Sequence, residues 1–99
     1  MAYLVIWSRR AIEDLDSIAA YIAQDSDAHA SAVVREILHK TRVLSKFPLL
    51  GRMVPEFDDE FMREIFAYSY RIIYRVDANE VKVAAVIHFS RRLDIALRP

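Results

Sequence analysis

The sequence contains no cysteine and a single glycine, and both absences exclude whole classes of site. Without cysteine there can be no disulfide, no thiolate zinc site and no cysteine nucleophile. Gly51 alone cannot build the glycine-rich loops that bind phosphates or dinucleotides. With only three prolines and 55% hydrophobic residues, the chain can bury a core, so intrinsic disorder is excluded as well.

The sequence also lacks an excess of charge and any long apolar run. Fourteen Lys plus Arg balance fourteen Asp plus Glu, whereas avid, sequence-independent binding of RNA or DNA is typical of a basic excess. No apolar run approaches the roughly 20 residues that span a bilayer. The first residues lack the basic region of a signal peptide. We therefore expect a cytoplasmic protein without membrane association.

The 99 residues fit a single domain, 1–99, whose first half is helical. The segment Tyr3–Trp7 predicts a short buried strand, and Ser8 caps a first helix that ends near Gln24. A second helix follows the turn Asp25–Asp27 and is expected to stop at Pro48. Two helices joined by a few polar residues are antiparallel neighbours.

The last third of the chain has the pattern of strands. Three strands are predicted, Met62–Phe66, Tyr70–Val76 and Val81–Phe89. The order β-α-α-β-β-β indicates an α+β fold in which a helical hairpin packs on an antiparallel sheet. The first strand is expected at the sheet edge or beside the last strand.

Strand alternation predicts a concave sheet face that carries basic side chains, namely Arg71, Arg75, His88 and Arg92. Arginine suits the recognition of phosphate or carboxylate. Two other roles remain open. Arg71 can pair with Glu64 across the neighbouring strand, and His88 at a strand end can be a structural histidine.

The long connection from 48 to 60 has two interpretations. Long loops in small domains are often functional. Alternatively, its apolar side chains close the lower edge of the core: Leu49, Leu50, Val54 and Phe57. Its acidic residues favour a solvated loop over a metal site: Glu56, Asp58, Asp59 and Glu60. We expect neither a metal nor a cofactor, and we expect His29 and His39 to lie in solvent.

Several segments match one known family in the same order along the chain. They are Trp7-Ser8, Ala11, Asp14-Leu15, Ile18 and Tyr21–Ala23, then Pro48–Arg52 and Val54–Glu56, and finally Arg63–Ile65, Tyr70–Val76, Val86–His88 and Arg91-Arg92. Together they resemble ParE-type toxins, which belong to the ParE/RelE superfamily of type II toxin–antitoxin systems. The resemblance covers essentially the whole chain and implies the RelE/ParE-like fold.

That superfamily has two branches with different targets. RelE-like members cleave mRNA in the ribosomal A site, and ParE-like members are associated with poisoning DNA gyrase. Arg71 and Arg92 match arginines that RelE-like toxins use on the transcript phosphate. The strand before carries Met62 and Glu64 where that branch has lysines, and Arg98 lies near the expected place of its late tyrosine. The resemblance therefore favours the gyrase branch.

Three hypotheses follow. The first is a toxin that contacts DNA gyrase, is not itself an enzyme, and inhibits growth. Its candidate target contacts are Arg63, Arg71, Arg75, His88, Arg91 and Arg92. The second is a ribosome-dependent mRNA endoribonuclease whose catalytic residues are Arg71, His88 and Arg92. The third is an inactive module that only binds an antitoxin.

The resemblance also implies a partner. It implies a cognate ParD-like antitoxin with a ribbon-helix-helix DNA-binding half, joined to the toxin in a hetero-oligomer. Its flexible C-terminal segment is expected to fold onto the apolar surface of the helical hairpin. The candidate contacts there are Leu15, Ile18, Ile22, Val34 and Leu38.

Overall fold

Two helices pack on one face of a five-stranded sheet in the computed structural model, which describes residues 2–90. The helices are α1 (Arg9–Ala23) and α2 (Asp27–Val43), and the strands are β1 (Leu4–Trp7), β2 (Arg52–Met53), β3 (Met62–Ala67), β4 (Tyr70–Val76) and β5 (Glu80–His88). The sheet order is β1-β5-β4-β3-β2, with β1 parallel to β5 and the other neighbours antiparallel. The predicted α+β class is confirmed, and β1 lies both at the edge and beside the last strand. Between residues 2 and 90, neither helix has the length and apolar character needed to cross a membrane.

Both helices begin at a serine cap. The hydroxyl oxygens of Ser8 and Ser26 each accept a backbone N–H from the first turn of their helix. The Ser8 hydroxyl also donates to the carbonyl of Ala84 at 3.1 Å, which ties the start of α1 to β5. Because α2 already ends at Val43, Pro48 is not the residue that stops it.

The sheet has a hydrophobic cluster on each face. The main core lies between helices and sheet and includes Ala11, Val33, Ile37, Leu44, Ile72, Tyr74, Val81, Val83 and Val86. A smaller cluster on the opposite face consists of Val54, Ile73, Ala85 and Ile87, with Phe57 and Met62 packed against it. Of the loop residues predicted to close the core, Val54 and Phe57 do so on this second face. Leu49 and Leu50 are 52% and 61% exposed, so the prediction is wrong for them.

A β-bulge in β5 reverses the alternation of its side chains. Ile73 pairs with Ala85 and Tyr74 pairs with Val83, so Ala84 has no opposite residue in β4. Beyond the bulge, Val86 belongs to the main core. Unbroken alternation predicts that Val86 and His88 share a face with Lys82, and this prediction is wrong beyond Val83 because the bulge interrupts the ladder.

Candidate functional site

On the sheet face opposite the helices, the guanidinium of Arg71 on β4 is a buried polar group. Arg71 is 5% exposed. Its Nε atom donates to Oε1 of Glu64 at 2.6 Å, and its two terminal nitrogens donate to the two carboxylate oxygens of Glu56 at 2.8 Å each. The cross-strand pair with Glu64 is thus present, and a second acid from the connecting loop encloses the same cation.

The carboxylate of Glu64 is shared between two arginines. Its side chain is 0% exposed, and its Oε2 atom accepts from Nε of Arg52 at 2.6 Å. Arg52, Glu64, Arg71 and Glu56 therefore form a chain of alternating charge with no net charge. Removing such ions from water costs several kcal/mol each unless they are paired, and here they are. The hydrogen bonds to Glu56 raise the pKa of Arg71, against the opposing effect of burial.

Arg75 is also paired with the loop. Its Nη1 atom donates to Oδ2 of Asp59 at 2.8 Å, and Asp77 lies 3.6 Å from its Nε atom. The backbone N–H of Phe61, and then Arg75, lower the pKa of Asp59 below its ordinary value. The side chains of Glu56 and Asp59 keep 30% and 34% of their surface in solvent, as expected of a solvated loop, but they also pair with the arginines of the sheet, which the sequence did not indicate.

The backbone of the loop is held by buried contacts around Gly51. A Cβ atom at Gly51 would lie 2.4 Å from the carbonyl oxygen of Glu64 and 2.8 Å from the hydroxyl oxygen of Tyr74, so only glycine fits. The Gly51 N–H donates to that Tyr74 hydroxyl at 2.9 Å. Arg63 donates to the carbonyls of Gly51 at 3.2 Å and Glu60 at 2.7 Å. Arg63, a predicted target contact, thus fixes the loop.

His88 lies on the other face of the sheet from Arg71 and Arg75. It pairs with Tyr70, which packs against the main core, and their ring centroids are 5.8 Å apart. Its Nδ1 atom is 2.7 Å from the hydroxyl of Ser90. The prediction that His88 shares a face with the arginines is therefore wrong. The bulge at Ala84 reverses the side-chain alternation of β5, which places the His88 side chain on the helix side of the sheet. Arg91 and Arg92 lie outside the described residues.

The carboxylate of Asp14 on α1 forms a hydrogen bond to the backbone of β5, a role that the sequence did not indicate. Its Oδ2 atom accepts the backbone N–H of Val86 at 2.9 Å, and its Oδ1 atom accepts from Nε of Arg10 at 2.9 Å. Asp14 therefore satisfies a strand amide just beyond the bulge. Helical periodicity places both Asp14 and Asp16 off the apolar stripe, and the resemblance to ParE-type toxins includes Asp14 without giving it a role.

The predicted antitoxin contacts are not all at the surface. Ile22 belongs to the main core, and Leu15 and Ile18 are half-buried against it. Val34 is half-buried and lines a shallow hollow between α1 and α2, and Leu38 is half-buried on α2. Of these five, Val34 is the one that lines the interhelical hollow.

Solved structures with the same fold are toxins of toxin–antitoxin systems. A chain of the chromosomal ParDE system from P. aeruginosa matches with a TM-score of 0.72 and 20% identity, over 88% of this chain and 96% of that one. A mutant of the E. coli toxin RelE in the free state matches with a TM-score of 0.66 and 20% identity, over 91% and 86%. The RelBE2 toxin–antitoxin complex of Mycobacterium tuberculosis matches with a TM-score of 0.60 and 24% identity, over 89% and 99%. These likenesses define the class as the RelE/ParE-like fold.

The sequence itself gives the family. The model described as "ParE toxin of type II toxin-antitoxin system, parDE" matches residues 5–93. The chain therefore belongs to the ParE toxin family of type II toxin–antitoxin systems. No curated protein matches it in sequence.

Proposed function

We propose that this ParE-family toxin inhibits DNA gyrase through protein–protein contact and does not itself cleave RNA. The observation that carries the proposal is the enclosure of Arg71. In the resemblance to RelE-like nucleases, Arg71 is one of the two arginines that hold the transcript phosphate. Here its Nε, Nη1 and Nη2 atoms all donate to carboxylates.

The charge around Arg71 opposes phosphate binding. Cleavage by the 2′-hydroxyl of RNA requires cations at the phosphorane and a general base and acid within reach. A phosphate that approached Arg71 would be repelled by the carboxylates of Glu56 and Glu64. Displacing the carboxylate of Glu64 from Arg71 would break an ion pair between two buried charges. His88 lies on the other sheet face, so Arg71 and His88 cannot act on the same phosphate.

The partner of the toxin is, in this proposal, a cognate ParD-like antitoxin. The description of the family as the toxin of a parDE system supports this, as do the solved ParDE system and RelBE2 complex. The antitoxin is proposed to carry a ribbon-helix-helix DNA-binding half and to form a hetero-oligomer with the toxin. Inhibition of gyrase takes place in the cytoplasm, which is therefore the proposed location.

Two assays on the purified toxin test the target. We expect a dose-dependent loss of supercoiling by purified gyrase, and intact mRNA on programmed ribosomes. Codon-specific breaks with normal supercoiling would support a RelE-type endoribonuclease instead. If the toxin shows no activity in either assay, the result would support an inactive module that only binds an antitoxin.

A matched pair of variants tests whether the arginine face contacts gyrase. Arg75 and Lys82 lie opposite each other on β4 and β5, and both are about half-exposed cations. We expect Arg75→Ala to weaken gyrase inhibition by about tenfold, because arginine is enriched among interface hot spots. Lys82→Ala is the control. If Arg75→Ala and Lys82→Ala weaken gyrase inhibition equally, Arg75 is not a specific contact with gyrase.

A further inference from the structure

The ring of Tyr21 on α1 is 70% exposed and stands at the border of a surface hollow between α1 and the ends of β4 and β5. This β5 hollow has a volume of about 510 Å³. It is lined by Asp14, Ser17, Ile18 and Tyr21 of α1, by Tyr70 of β4, and by Val86, Ile87 and His88 of β5. We propose that two copies of this chain associate through this surface, with Tyr21 of each copy seated in the β5 hollow of the other.

Tyr21 lies on the flank of α1 that faces away from α2. Residues three or four apart on a helix share a face, so Asp14, Ser17 and Tyr21 form one row along this flank. The α1 residues that border α2 are on another side of the helix, namely Ala19, Ala20 and Ala23. A second copy can therefore approach the row that contains Tyr21 without displacing α2.

The row on α1 is complementary to itself. A two-fold axis perpendicular to α1 places the same helix of a second copy alongside it in the opposite direction. Tyr21 of each copy then lies opposite Ser17 of the other, because the two residues are one helical turn apart. Both side chains are exposed, and the small side chain of Ser17 leaves room for the ring. Each copy thus provides one protruding ring and receives one.

The wall of the β5 hollow suits an inserted tyrosine. The rings of Tyr70 and His88 lie edge to face with their centroids 5.8 Å apart, so they are already packed in a fixed arrangement. Aromatic rings that meet in such arrangements gain energy beyond the area they bury. The hydroxyl of Tyr70 and the imidazole of His88 also offer polar partners to the hydroxyl of Tyr21 from the other copy.

The β5 hollow is close to neutral, which favours a second copy over a nucleic acid. A two-fold axis brings groups near their own counterparts, so an unpaired charge would oppose self-association. Among the described residues that line the hollow, Asp14 is the one carboxylate, and there is no lysine or arginine. Its Oδ1 atom accepts from Nε of Arg10 and its Oδ2 atom from the N–H of Val86, at 2.9 Å each.

The size of this surface indicates a weak, reversible dimer. The 15 residues of α1 span about 22 Å. Contact along two such helices, with a ring in each hollow, buries on the order of 1,000 Å² in total, which is the lower limit for a specific interface. We therefore expect a dissociation constant on the order of 10 μM, so that the dimer forms and separates with concentration.

Sedimentation velocity of the purified toxin over a range of concentrations around that value tests the inference. We expect a reversible monomer–dimer equilibrium, and we expect Tyr21→Ser to raise its dissociation constant by at least about tenfold. Phe47→Ser is the matched control, because Phe47 is 60% exposed and lies outside the β5 hollow. A monomer at every concentration, or equal effects of the two substitutions, would overturn the inference.

Crosslinking locates the contact between the copies. The chain has no cysteine, so Ser17→Cys introduces a unique thiol. A short bismaleimide should join two copies of this variant, and adding Tyr21→Ser should abolish the product. Ser31→Cys is the control, because Ser31 is an exposed serine on α2. Equal crosslinking of the Ser17→Cys and Ser31→Cys variants would contradict the proposed surface. Neither experiment contains gyrase or an antitoxin, so failure of the proposed function leaves their outcome unchanged.

Discussion

The Nε atom of Arg71 donates a 2.6 Å hydrogen bond to Glu64, whose side chain is completely excluded from solvent. In this position Arg71 supports the fold by joining β4, β3 and the connecting loop. The chemistry that arginine offers to a phosphate is used instead on two carboxylates. The charge of Arg71 on this face of the sheet is therefore neutralised by Glu56 and Glu64.

We expect Glu64→Gln to lower the free energy of unfolding by about 3 kcal/mol, because it leaves two arginines without their shared buried partner. Urea denaturation followed by circular dichroism measures the loss. Glu56→Gln is the comparison, since Glu56 is partly exposed and its loss should cost about 1 kcal/mol. Similar losses for both variants would contradict the central role of Glu64.

Asp14 and Asp16 provide a matched pair on one helix. Asp14→Ala should lower the free energy of unfolding by about 2 kcal/mol, because the N–H of Val86 loses its acceptor. Asp16 is exposed, so Asp16→Ala should change stability by less than about 0.5 kcal/mol. Hydrogen exchange of the Val86 amide should accelerate in Asp14→Ala only. Unchanged exchange there would contradict the assigned hydrogen bond.

The hydroxyl of Tyr74 should make stability depend on alkaline pH. Burial raises the pKa of Tyr74 in the folded state, while the N–H of Gly51 opposes this effect. The unfolded chain therefore ionises first, near its ordinary pKa of about 10, and stability is lost as pH rises from there through the folded pKa. The denaturation midpoint of the unmodified protein should therefore fall as the pH is raised from 8 to 11.

Tyr74→Phe is the control for that pH dependence. This variant should be less stable at neutral pH by about 1–3 kcal/mol, because it leaves the buried N–H of Gly51 without an acceptor. It should also lose the part of the alkaline decline that belongs to Tyr74. An identical decline in both proteins would assign the effect to other groups.

Tyr68 is held in the left-handed region at a φ of 53°, in the turn between β3 and β4. Glycine adopts this conformation without strain, whereas alanine does not. We expect Tyr68→Gly to be more stable than Tyr68→Ala by about 1 kcal/mol. Both substitutions remove the ring contact with His29, so their difference isolates the backbone term. A more stable alanine variant would contradict the assignment of strain.

The acidic loop shows that local sequence patterns do not predict contacts between residues far apart in the chain. Its composition predicted solvation, yet Glu56 and Asp59 contact Arg71 and Arg75, which lie 15 and 16 residues away in sequence. Propensity and alternation describe neighbours within one element or one ladder. They carry no information on how an irregular segment folds back over a sheet. The sequence therefore offered Glu64 as a partner for Arg71, but the second carboxylate, that of Glu56, became visible only in three dimensions.

The sequence by itself determined the two helices, the three long strands, the α+β class and the family, because each depends on local periodicity or on motifs in order. Ser8 as a helix cap and Arg71 with Glu64 as a cross-strand pair were also within its reach. Only the tertiary structure decided which face each residue of β5 presents. The extra residue at Ala84 reverses the side-chain alternation in the rest of β5. As a result, the side chain of His88 lies on the opposite face of the sheet from Arg71 and Arg75.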